Sequence, residues 1–166
     1  DNAASVVADA GNNGSYPDAV NSVKITSPAT GAAHLFSPTV PVTSGATYIV
    51  KSYLNVAART SGEVGFYIDE YDANGAWISG QWKKSEPSVF VDMMNFAYTP
   101  SSANVKNASL QIYATGSGIT AYVDNVQWMP TTDAVATNLV TGGTFESGMG
   151  SWTTDSSSTI KLDTAN

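Results

Sequence analysis

The sequence predicts an all-β fold, either a sandwich or a barrel, from three observations. Apolar and polar residues alternate along most of the chain, as they do in strands that bury one face. Turn-forming Gly, Asn, Asp and Pro recur about every ten residues. Helical periodicity is nearly absent. A chain of 166 residues is long enough for one domain with its own core.

The alternation predicts nine strands. The clearest spans 48–56, where Tyr48, Val50, Leu54 and Val56 share one face. The strand predicted at 64–71 leads through an Asn-Gly turn into 77–82, because Asn-Gly supplies the positive φ angles of a tight hairpin. The other predicted strands are 5–8, 22–26, 34–36, 90–98, 108–114 and 120–128.

Composition and charge disfavour several classes of partner. The formal net charge is −7 with only seven Lys and Arg, which makes nucleic acid and membrane surfaces poor partners. A neutral polymer or a divalent cation fits better. The chain has no Cys and no apolar run near the roughly 18 residues of a membrane span. Asp1 is not an initiator Met, so we expect a mature or excised fragment whose targeting signal lies outside it.

Residues 138–152, NLVTGGTFESGMGSW, resemble the opening strand of the carbohydrate-binding modules of families 4, 9, 16 and 22. The closing strand of those modules resembles AYVDNV at 121–126. The resemblance implies a jelly-roll β-sandwich of two antiparallel sheets in a secreted or cell-surface protein. It also implies non-catalytic binding of a neutral plant-type polysaccharide (β-glucan, mannan or xylan) that targets an appended enzyme. The matching residues are Asn138, Leu139, Phe145, Glu146, Gly148 and Trp152, whereas Gly142 replaces the usual Asn.

The order of these segments departs from the family, because the opening strand comes last. We expect a sandwich body at 1–129, a linker at 130–137 and an opening-strand segment at 138–166. That segment either completes the same sandwich, as in a circular permutant, or starts the next of several tandem repeats. A weak repeat of 4–12 at 158–166 favours repeats. The expected partners therefore include neighbouring modules and strand exchange between chains; docking within the chain is favoured.

The resemblance also implies a structural calcium ion (Ca²⁺) that joins the chain ends. Its ligands would be Glu146 of the opening strand, Asp124 of the closing strand and oxygens of the loop around Asn13. Calcium takes six to eight oxygen ligands, and carboxylates are common among them. The alternative is two solvated acids at strand ends.

The strand pattern predicts a sugar-binding face of aromatic and amide side chains that point away from the core. Sugar recognition needs flat apolar platforms and polar groups that bond hydroxyls. If a bulge after Gly80 reverses which residues of this strand point outward, Trp82 is the platform instead. Trp152 either caps the core or stacks on the ligand, and His34 is assigned to a surface or turn. The alternative is ordinary packing of exposed tyrosines. The predicted ligand-binding residues are Tyr53, Tyr67, Asp69, Tyr71, Trp77, Gln81, Gln111, Tyr113 and Trp152.

The sequence does not predict an enzyme. A glycoside hydrolase needs two carboxylates across a cleft, but Asp69 and Glu70 are adjacent and face opposite sides of a strand. No nucleophile elbow, zinc motif or phosphate-binding loop is present. The remaining alternative is a calcium-stabilised structural or adhesive repeat of a surface protein that binds no sugar.

Overall fold

A computed structural model describes residues 6–9, 21–27, 31–132, 137–155 and 161–162. All regular secondary structure in these residues is β, which confirms the predicted fold class. None of them lies in a helix that is long and apolar enough to cross a bilayer. The strands are β1 (Val6–Asp9), β2 (Ser22–Thr26), β3 (Ala32–Phe36), β4 (Val40–Pro41), β5 (Tyr48–Ala58), β6 (Ser61–Tyr71), β7 (Trp77–Glu86), β8 (Phe90–Tyr98), β9 (Asn107–Ser117), β10 (Thr120–Pro130), β11 (Thr153–Thr154) and β12 (Lys161–Leu162).

The strands form two sheets that pack face to face. The first sheet has the order β12-β1-β2-β10-β5-β8, and the second has the order β11-β3-β9-β6-β7, with β4 also paired to β9. Every pairing is antiparallel except that of β1 with β12, which is parallel. The predicted sandwich of two antiparallel sheets is therefore confirmed, with this one parallel pair as an addition.

The core lies between the sheets and follows the alternation of the sequence. Val50, Leu54 and Val56 of β5 are fully buried, and so are the alternate residues of β6 and β9 that face them. Trp128 is the largest buried side chain, and its ring meets that of Tyr98 edge-on at 5.4 Å. Strands β5, β6 and β9 thus bury one face, and their other face lies outside the core.

The segment 137–155 packs on the body of the same chain, beside β10. Strand β2 pairs with β10 only as far as Val123, and the segment takes over beyond that point. Val126 N–H donates to the Gly143 carbonyl at 2.9 Å, and Leu139 N–H donates to the Trp128 carbonyl at 2.8 Å. The side-chain amide of Asn138 acts like a further peptide group, accepting from Trp128 N–H at 2.7 Å and donating to the Val126 carbonyl at 3.1 Å.

Trp152 belongs to this docked segment and not to a ligand surface. Its side chain is only 2% exposed, its Nε1 donates to the Thr141 carbonyl at 3.0 Å, and its ring meets Phe145 edge-on at 5.1 Å. Phe145 and Met149 are buried with it in the core. The prediction that Trp152 contacts ligand is wrong, because the ring caps the core, which was its other expected role.

Candidate functional site

The outer face of the second sheet brings together most of the predicted ligand-binding residues. In β6, Val64, Phe66 and Ile68 point into the core, so the alternate positions point outward. Strands β9, β7 and β3 run beside β6 and add their own outward side chains. The residues that share this face are Tyr67, Asp69, Tyr71, Trp77, Trp82, Gln111, Tyr113 and His34.

A shallow depression of about 460 Å³ lies on this face. Its walls come from β3, β6, β7 and β9, so four neighbouring strands hold it in shape. Three aromatic rings and one imidazole line it, which gives a largely apolar surface with polar groups at its edges. The lining residues are Ala32, His34, Tyr67, Trp82, Gln111, Tyr113 and Thr115.

Two glycines provide flat positions for the tyrosine rings of the depression. A Cβ atom on Gly65 would lie 2.2 Å from Cζ of Tyr113, and a Cβ atom on Gly80 would lie 2.1 Å from Cε1 of Tyr67. Only a residue without a side chain leaves room for a ring across the neighbouring strand. Both tyrosine rings therefore lie against the backbone of the sheet, and both side chains are half-buried.

Hydrogen bonds hold the rings of Tyr113 and Trp82 in position. The Tyr113 hydroxyl donates to Oε1 of Glu63 at 2.8 Å and accepts from Nε1 of Trp82 at 3.3 Å. Burial raises the pKa of the Tyr113 hydroxyl, and the Glu63 carboxylate raises it further. Tyr113 is therefore neutral and remains a donor to Glu63. Trp82 is 60% exposed although its indole N–H is bonded, so its ring is fixed but open to a ligand.

A second exposed indole lies further along β7. Trp77 is 61% exposed, and its Nε1 donates to Oδ1 of Asp69 at 3.1 Å. Burial raises the pKa of Asp69, although this hydrogen bond and the nearby His34 oppose the shift. Trp77 pairs with Tyr71, and Trp82 pairs with Tyr67. Tyr67 and Tyr71 are four residues apart on β6, so the two pairs lie about 13 Å apart along the strand. Beside them, the Tyr71 hydroxyl meets Oγ of Ser109 at 3.5 Å.

Gln81 does not point outward, because the register of β7 against β6 shifts between Trp77 and Ser79. This shift pairs Gln81 with Ile68 and turns its side chain inward, where Nε2 donates to Oε1 of Glu70 at 2.8 Å and to the Thr99 carbonyl at 3.0 Å. Trp82 takes the outward position instead. The prediction for Gln81 is wrong. The alternative correctly gave Trp82 the outward position, but the bulge that puts it there lies before Gly80 and not after it.

Tyr53 lies on the other sheet. It belongs to β5, where it pairs with Asp124 of β10 and Met93 of β8. The assumption that Tyr53 shares a sheet with Tyr67 is therefore wrong. Burial raises its pKa, with smaller contributions from the carboxylates of Asp124 and Asp92.

His34 is the residue of this face that the sequence assignment missed. It was assigned to a surface or turn, yet β3 pairs with β9 so that His34 lies opposite Tyr113, at 6.4 Å between ring centres. The signal was available in the alternation of residues 34–36, in which the buried Leu35 separates His34 from Phe36.

The two acids predicted to bind calcium lie at one corner of the first sheet. Asp124 is fully buried, and its Oδ1 accepts from Asn125 N–H at 2.6 Å. Glu146 accepts from Asn21 N–H at 3.1 Å, and the pairing of β2 with β10 ends at Val23 and Val123, the neighbours of Ser22 and Asp124.

The oxygen types at this corner fit a hard cation. The two carboxylates supply oxygen atoms, and the buried Oγ of Ser22 supplies another. This hydroxyl has no hydrogen-bond partner among the described residues. Asn13 lies outside the described residues. Within the described ranges, no three His, Cys, Asp or Glu side chains form a group that holds a metal, so calcium stays a prediction.

Comparison with known proteins gives the class of fold. No family model matches the sequence, and no curated protein sequence matches it. Among solved structures, the CBM22-1 xylan-binding domain of Paenibacillus barcinonensis Xyn10C has a TM-score of 0.54 at 14% identity, covering 78% of this chain and 82% of that one. A family 16 carbohydrate-binding module has a TM-score of 0.52 at 14% identity, covering 69% and 79%.

A third similar structure is larger than this chain. The CBM22-1 and GH10 modules of Clostridium thermocellum xylanase 10B, complexed with xylohexaose, have a TM-score of 0.53 at 9% identity. The match covers 81% of this chain and 27% of that one. At such identities the likeness concerns the fold, so this chain has the β-sandwich fold of carbohydrate-binding modules.

Proposed function

We propose that the outer face of the second sheet binds a neutral polysaccharide or oligosaccharide without cleaving it. The observation that carries the proposal is the pair of tyrosine rings laid over Gly65 and Gly80 beside the exposed ring of Trp82. The C–H faces of a pyranose ring pack on flat apolar surfaces of this kind. Xylan, β-glucan and mannan are the candidate classes, with xylan first because xylan-binding modules share the fold.

Polar groups at the edge of the platform suit a neutral ligand. Gln111 and His34 line the depression, and the carboxylates of Glu63 and Asp69 already accept hydrogen bonds from Tyr113 and Trp77. No lysine or arginine is among the lining residues of the depression, so an acidic sugar would find no cation there.

The arrangement of carboxylates favours binding over hydrolysis. Glycoside hydrolysis requires two carboxyl groups on either side of one bond. Asp69 lies on the outer face of the sheet, but Glu70 faces the interior and is enclosed by donors from β7 and β8. The role we propose is therefore to concentrate an appended enzyme on its substrate outside the cell, in company with neighbouring modules.

Calcium binding at the corner of Asp124 and Glu146 is part of this proposal. A bound cation would join the docked C-terminal segment to β10 and raise the thermal stability of the sandwich. Thermal unfolding in EDTA and in millimolar CaCl2 tests it, with Glu146→Gln as the variant. A calcium-dependent rise in Tm that is lost in Glu146→Gln supports the site, and equal Tm values in both buffers reject it.

Affinity electrophoresis through gels containing xylan, β-glucan or mannan tests the sugar-binding proposal. The chain should be retarded by at least one polysaccharide. Trp82→Ala should lose about 2 kcal/mol of binding, roughly thirtyfold in Kd, and Tyr53→Ala on the other sheet should be retarded normally. Normal mobility of the unmodified chain in all three gels would reject the proposal in favour of a structural repeat.

A further inference from the structure

We infer that one linear sugar chain contacts two separate pairs of rings on this face, so that the site extends along β6 and β7 beyond the depression. The first pair is Trp82 with Tyr67, which line the depression, and the second pair is Trp77 with Tyr71, which lie outside it. The inference rests on the proposed function and deepens it, because it specifies the length and the direction of the ligand.

The two indoles are alike in their exposure and in the way they are held. Trp82 and Trp77 are 60% and 61% exposed, and the indole N–H of each donates a hydrogen bond to a neighbouring side chain. A tryptophan whose N–H is bonded within the protein presents mainly apolar ring surface to a ligand. Rings that are already fixed lose little conformational freedom on binding, so both indoles are suited to stacking on a sugar.

The path between the two indoles is flat. Because of the register shift in β7, Gly80 is the residue of that strand that faces outward between them. Ser79 and Gln81, on either side of Gly80, both turn inward and donate to Glu70. The ring of Tyr67 lies against Gly80. A row of sugar units can therefore pass from one indole to the other without meeting a projecting side chain of β7, all of whose residues are described.

The spacing of the two pairs sets a minimum length for the ligand. The pairs lie about 13 Å apart along the strand, whereas a pyranose ring is comparable in width with one aromatic ring. A single sugar unit therefore contacts one pair only, and a ligand needs several linked units to contact both. Asp69 lies between the pairs on β6, where its carboxylate can accept a hydrogen bond from a hydroxyl of the connecting units.

The line through the two pairs runs along the strands, whereas the depression crosses them. The depression extends from β7 over β6 and β9 to β3. A ligand that followed the depression would contact Trp82 and would not reach Trp77. A ligand that runs along β6 and β7 contacts both exposed indoles. The contribution of Trp77 to affinity therefore distinguishes the two directions.

Two contacts with one sugar chain make affinity depend on the length of that chain. Once the first pair holds one part of the ligand, the second pair binds another part of the same molecule, so the second contact is intramolecular. A long oligosaccharide should therefore bind more tightly than a short one, with one sugar molecule per protein molecule. Two independent sites would instead bind two sugar molecules.

Titration of the whole protein with xylohexaose, cellohexaose and mannohexaose, and with the disaccharides xylobiose, cellobiose and mannobiose, tests the inference. Calorimetry gives the stoichiometry. The NMR signal of the Trp82 indole N–H, identified by its absence in Trp82→Phe, gives the affinity at the first pair for both lengths. For the series that binds, the hexaose should bind at one molecule per protein and about tenfold more tightly than the disaccharide.

Trp77→Ala should lower the affinity for the hexaose about tenfold and leave that for the disaccharide unchanged. Trp77→Phe also lacks the bond to Asp69 but keeps a flat ring, so it should retain most of the affinity for the hexaose. Tyr53→Ala, an aromatic truncation on the other sheet, is the matched control and should match the unmodified protein.

Three results would overturn the inference and leave the proposed function standing. They are an unchanged affinity for the hexaose in Trp77→Ala, an equal loss for the hexaose and the disaccharide, and two hexaose molecules per protein. A failure of the unmodified protein to bind any hexaose or polysaccharide would overturn the inference and the proposed function together.

Discussion

Strand β6 places two consecutive carboxylates on opposite faces of the second sheet, and their surroundings differ. Asp69 faces outward, where it accepts a hydrogen bond from the exposed Trp77. Glu70 faces inward and is fully buried. It accepts five hydrogen bonds, from Ser79 Oγ, Gln81 Nε2, Tyr98 OH and both the N–H and the Oγ of Ser101. The inner carboxylate joins β6 to β7, β8 and the loop after β8.

The pKa values of the two groups shift in opposite directions. Burial raises the pKa of Asp69, and its hydrogen bonds do not compensate. Burial also opposes ionisation of Glu70, but the bonds from Ser101, Ser79 and Gln81 outweigh it and lower its pKa. The comparison teaches that the inner face of this sheet serves stability and that its outer face is available for the proposed site, because only the inner carboxylate has a full set of donors.

The largest expected effect is on the inner face. Glu70→Ala leaves Tyr98 OH, Gln81 Nε2 and Ser101 N–H without their acceptor, and we expect a loss of about 3 kcal/mol in the free energy of unfolding. Urea denaturation measures it. Glu86→Ala, which removes an acceptor from a turn at Ser88, should cost under about 0.5 kcal/mol. Equal losses in both variants would contradict the distinction between the faces.

On the outer face, a methyl group should harm binding more than stability. In Gly80→Ala the new Cβ displaces the far end of the Tyr67 ring, so stacking weakens by about 1 kcal/mol, near fivefold in Kd. Gly65→Ala should act in the same way through Tyr113. Titration with the polysaccharide that binds, together with Tm, measures both. Tyr67→Ala provides the matched background, in which adding Gly80→Ala should not change Kd further. If Gly80→Ala weakens binding equally in that background, its effect does not pass through the Tyr67 ring.

The inner carboxylate should make the fold sensitive to acid. Because the native pKa of Glu70 lies below that of an unfolded glutamate, near 4.3, its contribution to stability is complete above that pH. The contribution is lost as the pH falls through the native pKa. Between pH 6 and pH 3, Tm should fall less steeply in Glu70→Gln than in the unmodified chain, and Glu86→Gln should not change the slope. Parallel Tm curves for Glu70→Gln and the unmodified chain would refute the assignment.

The smallest effect is expected from Asp69→Asn, and the pH dependence that Asp69 gives to stability has the opposite sign to that of Glu70. The native pKa of Asp69 is raised, so its contribution to stability is present below the ordinary aspartate pKa and lost as the pH rises through the native value. Asp69→Asn should therefore raise Tm slightly at pH 7 and leave it unchanged at pH 3, by differential scanning calorimetry. A lower Tm at pH 7 would mean that the bond to Trp77 outweighs the burial of the carboxylate.

The alternation of residues was sufficient to predict an all-β fold and the outward positions of Tyr67, Asp69 and Tyr113, whereas the choice of a sandwich over a barrel came from the resemblance to carbohydrate-binding modules. It was not sufficient for β7, because a bulge shifts which side of the strand a residue occupies, and the local sequence does not fix where the shift falls. The sequence therefore favoured Gln81, whereas Trp82 occupies the face. Gly80 was a usable sign, since an isolated glycine in a strand marks a bulge or a close approach.

Tyr53 and His34 show what alternation does not predict, which is the sheet that a strand joins. Alternation states which residues point away from the core, but the sheet to which a strand belongs depends on long-range pairing. Tyr53 points outward as Tyr67 does, yet it pairs with Met93 and Asp124 and so belongs to the first sheet. His34 joined the face only because β3 pairs with β9. The pairing of strands that are far apart in the sequence leaves no local signal of the sheet to which a strand belongs.

The docked segment 137–155 has a consequence for the order in which the protein is made. Strand β10 pairs with β5 on both sides of an irregularity between Asp124 and Gln127, but beyond Val123 its other edge is covered by Asn138, Leu139 and Gly143. A ribosome completes β10 before it adds these residues. During that interval the nascent chain exposes an open strand edge above an uncapped core, which is when strands of neighbouring chains compete for the same hydrogen bonds.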